Sequence, residues 1–135
     1  MKTSSKIRVR YAETDQMGVA HHSAYVPWLE VARVDWLKAV GLDYAEIERG
    51  GVFFPVIELR LRYKRPARFD EELIVETALT ELASRRFTMS YRLLKEGKVV
   101  AEGETVHVTQ DASGRARRLP DELREVLQNA LTRQT

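Results

Sequence analysis

The sequence predicts an α+β fold, an antiparallel β-sheet wrapped around a long central α-helix, with a short helix at the C-terminus. Three observations predict it. One strongly apolar helical segment, residues 23–40, lies near the N-terminus; segments with strand periodicity follow it; and the last of these are joined by links short enough to make them antiparallel neighbours. A doubly wound parallel sheet would need helices alternating with the strands, which is not the order here.

The elements can be justified in turn. Ile7, Val9 and Tyr11 alternate with Lys6, Arg8 and Arg10, a period of two that predicts a half-buried first strand. At residue 23 the period changes. Tyr25, Trp28, Leu29, Ala32, Trp36 and Val40 fall on one helical stripe, while Val26, Val31, Val34 and Leu37 occupy much of the remaining surface. A helix this apolar is expected to be largely enclosed. Ser23 is its expected cap, Pro27 suits the first turn, where a missing N–H is tolerated, and Gly41 supplies the stop. A short helical or irregular segment, 44–49, precedes Gly50 and Gly51. Next, Ile57, Leu59, Leu61 and Tyr63 alternate with Glu58, Arg60, Arg62 and Lys64, a strand that Pro66 ends or deforms. Further strands are expected over 72–82, 86–95 and 98–109, with a turn at 111–114. Pro120 and Asp121 open an amphipathic helix carrying Leu123, Val126, Leu127, Ala130 and Leu131, after which the last few residues should fray.

Composition narrows the function classes. A chain of 135 residues with 44% hydrophobic content fits one globular domain spanning 1–135. No window approaches the roughly 18 uninterrupted apolar residues of a membrane span, and the opening MKTSSKIRVRY lacks a signal-peptide core, so a soluble cytoplasmic protein is expected. Zero cysteines exclude disulfides, thiolate metal sites and a Cys nucleophile. The net charge is only +2, but basic residues cluster at Arg60, Arg62, Lys64, Arg65 and Arg68, at Arg85 and Arg86, and at Arg115, Arg117 and Arg118. Such runs are solvated faces or phosphate sites. Aromatics are not interleaved with them in any RNA-binding pattern, so no nucleic-acid partner is expected. A unit of one helix and one sheet leaves strand edges uncovered, and self-association as a dimer or a dimer-of-dimers tetramer is expected.

Chemistry concentrates in YAETDQMGVAHHSAYVPWLEVAR, residues 11–33, where a polar loop runs straight into the long helix. A helix start presents unpaired N–H groups and partial positive charge, which suit a carbonyl oxygen gaining negative charge. Asp15, seven residues ahead of His22, adds a carboxylate beside that position. Taken alone Asp15 is an ordinary loop or capping residue, and Gly18 is either a turn glycine or a point of clearance for substrate. His21 and His22 are adjacent, so they point in different directions, and no HExxH pattern or third ligand accompanies them; no metal is expected. Ser23 beside His22 lacks a GxSxG elbow and makes no hydrolase triad. Tyr25, Trp28 and Phe54 are core aromatics or the lining of an apolar pocket.

The run Glu13-Thr14-Asp15, Gly18, His22, Tyr25 and Glu30, followed by Ala32-Arg33, resembles the signature of hotdog-fold acyl-CoA thioesterases of the 4-hydroxybenzoyl-CoA thioesterase superfamily. The branch it looks most like is that of the bacterial short-chain or Tol-Pal-associated acyl-CoA thioesterases. Phe54-Pro55-Val56, the strand ending near Tyr63, and Pro66-Ala67-Arg68 with Asp70 recur in the expected order, so the resemblance covers nearly the whole chain. It implies hydrolysis of an acyl-CoA thioester at a dimer interface, with no cofactor beyond the coenzyme A of the substrate. Asp15 matches the family's carboxylate nucleophile or general base, and His22 the backbone N–H that polarises the carbonyl. By the same resemblance Gly18, Tyr25 and Phe54 bind substrate, Phe54 from the partner subunit, and Arg85 and Arg86 meet the nucleotide phosphates. Two alternatives stand beside this reading. Hotdog hydratases and dehydratases carry an Asp-x-Asn-Pro-x-His motif, which the spacing of Asp15 and His22 does not match, and a non-catalytic acyl-thioester binding protein would have no need of Asp15.

Overall fold

In the computed structural model, which describes residues 1–132, the elements run β1 (Lys2–Arg8), α1 (Tyr25–Ala39), α2 (Tyr44–Arg49), β2 (Val56–Tyr63), β3 (Glu72–Leu82), β4 (Arg86–Lys95), β5 (Lys98–Val108) and α3 (Asp121–Thr132). Single 3₁₀ turns at Tyr11–Glu13 and His22–Ala24 lead into α1. The strands form one antiparallel sheet in the order β1-β3-β4-β5-β2, the hotdog arrangement, with α1 against its concave face. The fraying expected of the last residues falls on 133–135, outside the described residues.

Burial of the α1 stripe organises the core. Tyr25, Trp28, Leu29, Ala32, Trp36 and Leu37 are buried against Leu73, Val75 and Leu79 of β3, Met89, Tyr91 and Leu93 of β4, and Leu123 and Leu127 of α3. Each large side chain removed from water contributes about 1.5–3 kcal/mol. Leu37 takes the place in the buried stripe that the helical pattern gave to Val40, which is half-buried at the C-cap. Gly41 follows with φ +88°, the left-handed stop.

Two expectations are corrected. The first strand starts and ends earlier than its apolar alternation indicates, and Tyr11 sits in a 3₁₀ turn, 77% exposed. The reason is that β1 turns hydroxyls inward. Ser5 is buried and its Oγ donates to Asp35 Oδ2 of α1 at 2.7 Å, so a polar residue occupies a core-facing strand position. Second, α1 is half enclosed, because one sheet covers only one of its faces; Val26 and Val31 remain 44% and 46% exposed. The strand expected over 57–64 forms as β2, with Ile57, Leu59 and Tyr63 all exposed. As an edge strand it pairs with β5 on one side only. That pairing needs Gly103, since a Cβ there would lie 2.0 Å from the Arg60 carbonyl oxygen.

The inner face of β5 carries a buried polar row. His107 is 1% exposed, its Nδ1 lies 3.1 Å from the Phe54 carbonyl oxygen, and its Nε2 lies 2.8 Å from Thr105 Oγ1. A carbonyl can only accept, so Nδ1 carries the proton and Nε2 accepts from the Thr105 hydroxyl. Thr105 then accepts from Tyr91 Oη at 2.8 Å, which in turn accepts from Arg33 Nη1 at 3.1 Å. Four hydrogen bonds thus run in one direction from α1 to the segment before β2.

Burial holds the His107 imidazole neutral, with its pKa lowered from 6.5 to about 4; the Arg33 cation pushes the same way, against the Phe54 bond. The unfolded chain takes up this proton as pH falls below 6.5 and the folded chain does not until about 4. Stability is therefore complete above 6.5 and declines across that window, by roughly 3 kcal/mol in all. Urea midpoints measured at pH 7 and pH 5 should fall accordingly in the wild type, and the difference should shrink in His107→Gln.

Candidate functional site

The loop between β1 and α1 is anchored by Glu13. Its carboxylate accepts from the Arg10 N–H at 2.7 Å and from Trp28 Nε1 on α1 at 2.9 Å, and its carbonyl accepts from the His21 N–H at 2.8 Å. Burial raises the Glu13 pKa, but the bonds from Arg10 and Trp28 outweigh it and hold the carboxyl below its ordinary value. From this anchor the chain makes a tight turn. Asp15 Oδ1 accepts from the Met17 N–H at 2.8 Å, the Asp15 carbonyl accepts from Gly18 N–H, and Gly18 adopts φ +78°. A Cβ on Gly18 would meet nothing within 4 Å, so the backbone conformation, rather than crowding within the protomer, accounts for glycine there.

The turn leaves Asp15 exposed, with its second carboxylate oxygen unpartnered among the described residues. Across from it, the 3₁₀ turn that opens α1 is capped by His21, not by Ser23 as the residue types suggested. His21 Nδ1 accepts from the Ser23 N–H at 3.2 Å and from Ser23 Oγ at 2.8 Å. A serine hydroxyl can be outcompeted in this role when the preceding side chain already reaches the same N–H. The N–H groups of His21, Ser23, Ala24 and Tyr25 all have acceptors, whereas that of His22 has none among the described residues.

Asp15 and His22 line one open pocket of about 420 Å³ together with Tyr25, Tyr63, Lys64 and Arg65. Tyr25 and Tyr63 meet edge to face at 5.0 Å, and the Tyr63 hydroxyl donates to the His22 carbonyl at 3.4 Å. Burial raises the Tyr25 pKa, reinforced by Tyr63, so the phenol stays neutral. The sequence places Tyr63 in a strand and Lys64 and Arg65 in a basic run that is either a solvated face or a phosphate site, without bringing any of them beside Asp15; the basic pair just before Pro66 is the signal that was available.

The remaining predicted residues lie elsewhere in the protomer. Phe54 is buried against Phe87, with ring centroids 5.1 Å apart, and Arg85 and Arg86 sit at the link between β3 and β4. These belong together, because Gln110 pairs with Phe53 while the neighbouring Thr109 N–H donates to the Arg85 carbonyl. The predicted residues therefore form two groups, with Asp15, Gly18, His22 and Tyr25 beside the Tyr63 end of β2 and Phe54, Arg85 and Arg86 near its Val56 end. Among the described residues, no three His, Cys, Asp or Glu side chains come together as a metal site. No described helix is long and apolar enough to cross a membrane.

A hotdog sheet with an acidic turn facing the start of its central helix defines a protein of the thioesterase class. The chain belongs to the thioesterase-like superfamily, which it matches over residues 9–131. It is 32% identical over 110 residues to YneP of Bacillus subtilis, provisionally named an acyl-CoA thioesterase, covering 81% of this chain and 80% of that one. Among solved structures, a hypothetical protein of Thermus thermophilus superposes with a TM-score of 0.92 at 48% identity, covering 96% of this chain and 98% of that one. A DHNA-CoA thioesterase of Staphylococcus aureus superposes with a TM-score of 0.88 at 31% identity, covering 97% and 89%.

A backbone donor at residue 22 makes a sharp prediction. His21 has φ −67° and ψ 144°, a conformation that a following proline accepts. His22→Pro removes the N–H without the helix break expected further along and should reduce kcat on an acyl thioester by about a hundredfold or more. His22→Ala keeps the donor and should stay within about tenfold of the wild type. Equal losses in the two variants would assign the role to the imidazole instead.

Proposed function

We propose that the protein hydrolyses acyl-CoA thioesters to a carboxylic acid and coenzyme A, with Asp15 and the His22 N–H as its catalytic groups. The observation that carries this is the pairing, in one pocket, of a carboxylate oxygen with no partner and a helix-start N–H with no acceptor among the described residues. A thioester carbonyl placed between them meets an electrophile-stabilising donor on its oxygen and a carboxylate near its carbon. Asp15 acts through its free oxygen, as the nucleophile itself or as the base for an attacking water. The carbonyl oxygen gains charge at the His22 N–H, and collapse of the tetrahedral intermediate breaks the C–S bond. On the base route Asp15 takes the proton of the attacking water and returns it to the departing thiolate, giving the carboxylic acid and the thiol; on the nucleophile route the thiolate leaves an Asp15 mixed anhydride, which water then hydrolyses to the acid and the free carboxylate, the water's proton going to the thiolate. Nothing in this scheme requires a resident cofactor or metal. The substrate class and the absence of cysteine fit a cytoplasmic enzyme.

The reading includes a homodimer built on the β2 edge. Tyr63 meets Tyr25 of α1 and Leu61 joins the core, so Leu59 lies on the helix side of the sheet by alternation, yet it is 41% exposed. A second copy pairing antiparallel along β2 would cover that apolar edge and satisfy its unpaired backbone groups. Such pairing sets the Val56 end of one β2 beside the Tyr63 end of the other. The partner subunit's Phe54, Arg85 and Arg86 are thereby carried toward Asp15, joining the two groups that one protomer keeps apart.

Thiol release should be measured across short, branched, long-chain and aromatic acyl-CoAs for wild type and Asp15→Asn. We expect turnover that falls by about a hundredfold in the variant; no release from any member of the panel would reject the function, and release indifferent to Asp15 would reject the site. For the dimer, Leu59→Glu places a charge on an exposed position and should shift the mass measured by light scattering from two chains to one. A variant that stays dimeric would exclude the β2 edge.

A further inference from the structure

The most heavily buried titratable group among the described residues, on β5, takes no part in the mechanism above. His107 lies inside the protein, with both ring nitrogens committed and its ring stacked on Phe87 at 4.9 Å and 10°. Phe87 in turn meets the Phe54 ring edge to face. The histidine therefore grips Phe54 twice, through its backbone carbonyl and, by way of Phe87, through its side chain. The interior space bordered by Arg33, Phe54, Phe87 and His107 is about 10 Å³, room for one water at most, so Phe54 has little freedom to shift while the imidazole is in place.

The other end of the hydrogen-bonded chain is Arg33, on the same helix that presents the His22 N–H. Its guanidinium has no carboxylate within salt-bridge reach among the described residues and donates to Tyr91 Oη. A buried polar chain that is fully satisfied in one direction tolerates few alternative geometries, because a shift at either end strands a donor or an acceptor. It thus ties the position of segment 53–56 to that of α1.

We propose that His107 is a positioning residue for acyl recognition: it fixes Phe54, and hence the wall that segment 53–56 contributes across the dimer interface to the partner's Asp15 pocket. This rests on the thioesterase reading and on pairing through β2. The ligand it shapes the site for is the acyl portion of the substrate, and the residue touches no reacting atom. Its loss alters which acyl groups are held well, while the smallest acyl groups, which do not reach the wall, react as before.

Two measurements on the full-length dimer test this. In the first, hydrogen exchange compares wild type with His107→Leu, which cannot donate to the Phe54 carbonyl, and with Thr105→Val, which removes the hydroxyl that orients the ring with little change of volume. Protection of the Phe53 N–H should fall by about tenfold in both, the scale of one buried hydrogen bond, while protection in β3 and β4 is retained. In the second, KM for the acyl-CoA the wild type prefers should rise by about tenfold in His107→Leu, with kcat for acetyl-CoA within twofold, and His107→Gln, whose amide N–H can reach the same carbonyl, should recover most of the loss. In a Phe54→Ala background, His107→Leu should add nothing further. Unchanged exchange at Phe53, or a uniform loss on every acyl-CoA that the Phe54→Ala background does not absorb, would overturn the proposal. A wild type that releases no thiol rejects the catalytic reading separately, and the exchange measurement still decides whether His107 holds the segment.

Discussion

Everything in this protein depends on one packing event, the burial of the Tyr25, Trp28, Leu29, Ala32 and Trp36 stripe of α1 in the concavity of the sheet. The helix cannot be stable alone in water at this length, and the sheet cannot hide its inner face without it. Once the stripe is seated, the start of α1 is fixed relative to the end of β2, and the edge contact between Tyr25 and Tyr63 follows. The His22 N–H is thus located by hydrophobic burial. The Asp15 carboxylate is located by polar bonds instead, since Glu13 ties the loop to Trp28 and to His21 and the loop then delivers Asp15.

Using one sheet face for one helix has a cost and a use. The far side of α1 and most of β2 stay exposed, with Val26, Val31, Ile57 and Leu59 in water. Apolar surface beside an unpaired strand edge favours a second copy, and a two-fold along β2 lets residues from opposite ends of the same sheet meet. In the proposed dimer, one site is built from two groups of residues that the protomer's own fold keeps apart. The buried chain from Arg33 to Phe54 runs between those groups within each protomer, and it lies in the interior, where the low dielectric strengthens each of its bonds.

Much of the architecture was legible in the residues. The boundaries of β3 and β4 coincide with the two apolar-rich runs read on either side of the short link at Ala83 and Ser84, and α2 was visible although its Asp43 cap, which accepts from the Ala45 and Glu46 N–H groups, went unnoticed. β1 was misplaced because Thr3 and Ser5 carry the strand without apolar side chains, and hydropathy periodicity does not register a hydroxyl that bonds inward. The cap of the 3₁₀ turn was misassigned because residue type ranks serine above histidine, while the geometry gave the Ser23 N–H to the His21 ring.

By itself the sequence determined the kinds of element, their order, the antiparallel sheet around a helix, and the placing of Asp15 and His22 on either side of one loop, because each of these is written in local periodicity and short-range spacing. The tertiary structure alone decided which N–H at the helix start is left without an acceptor, that Tyr63, Lys64 and Arg65 border the Asp15 pocket, that Phe54 and the two arginines lie at the other end of β2, and that His107 is buried with both nitrogens bonded. Those are facts about which distant residues share a few ångströms of space. Distance through the fold is set by the register of strands and the seating of a helix, and no local pattern along the chain encodes it.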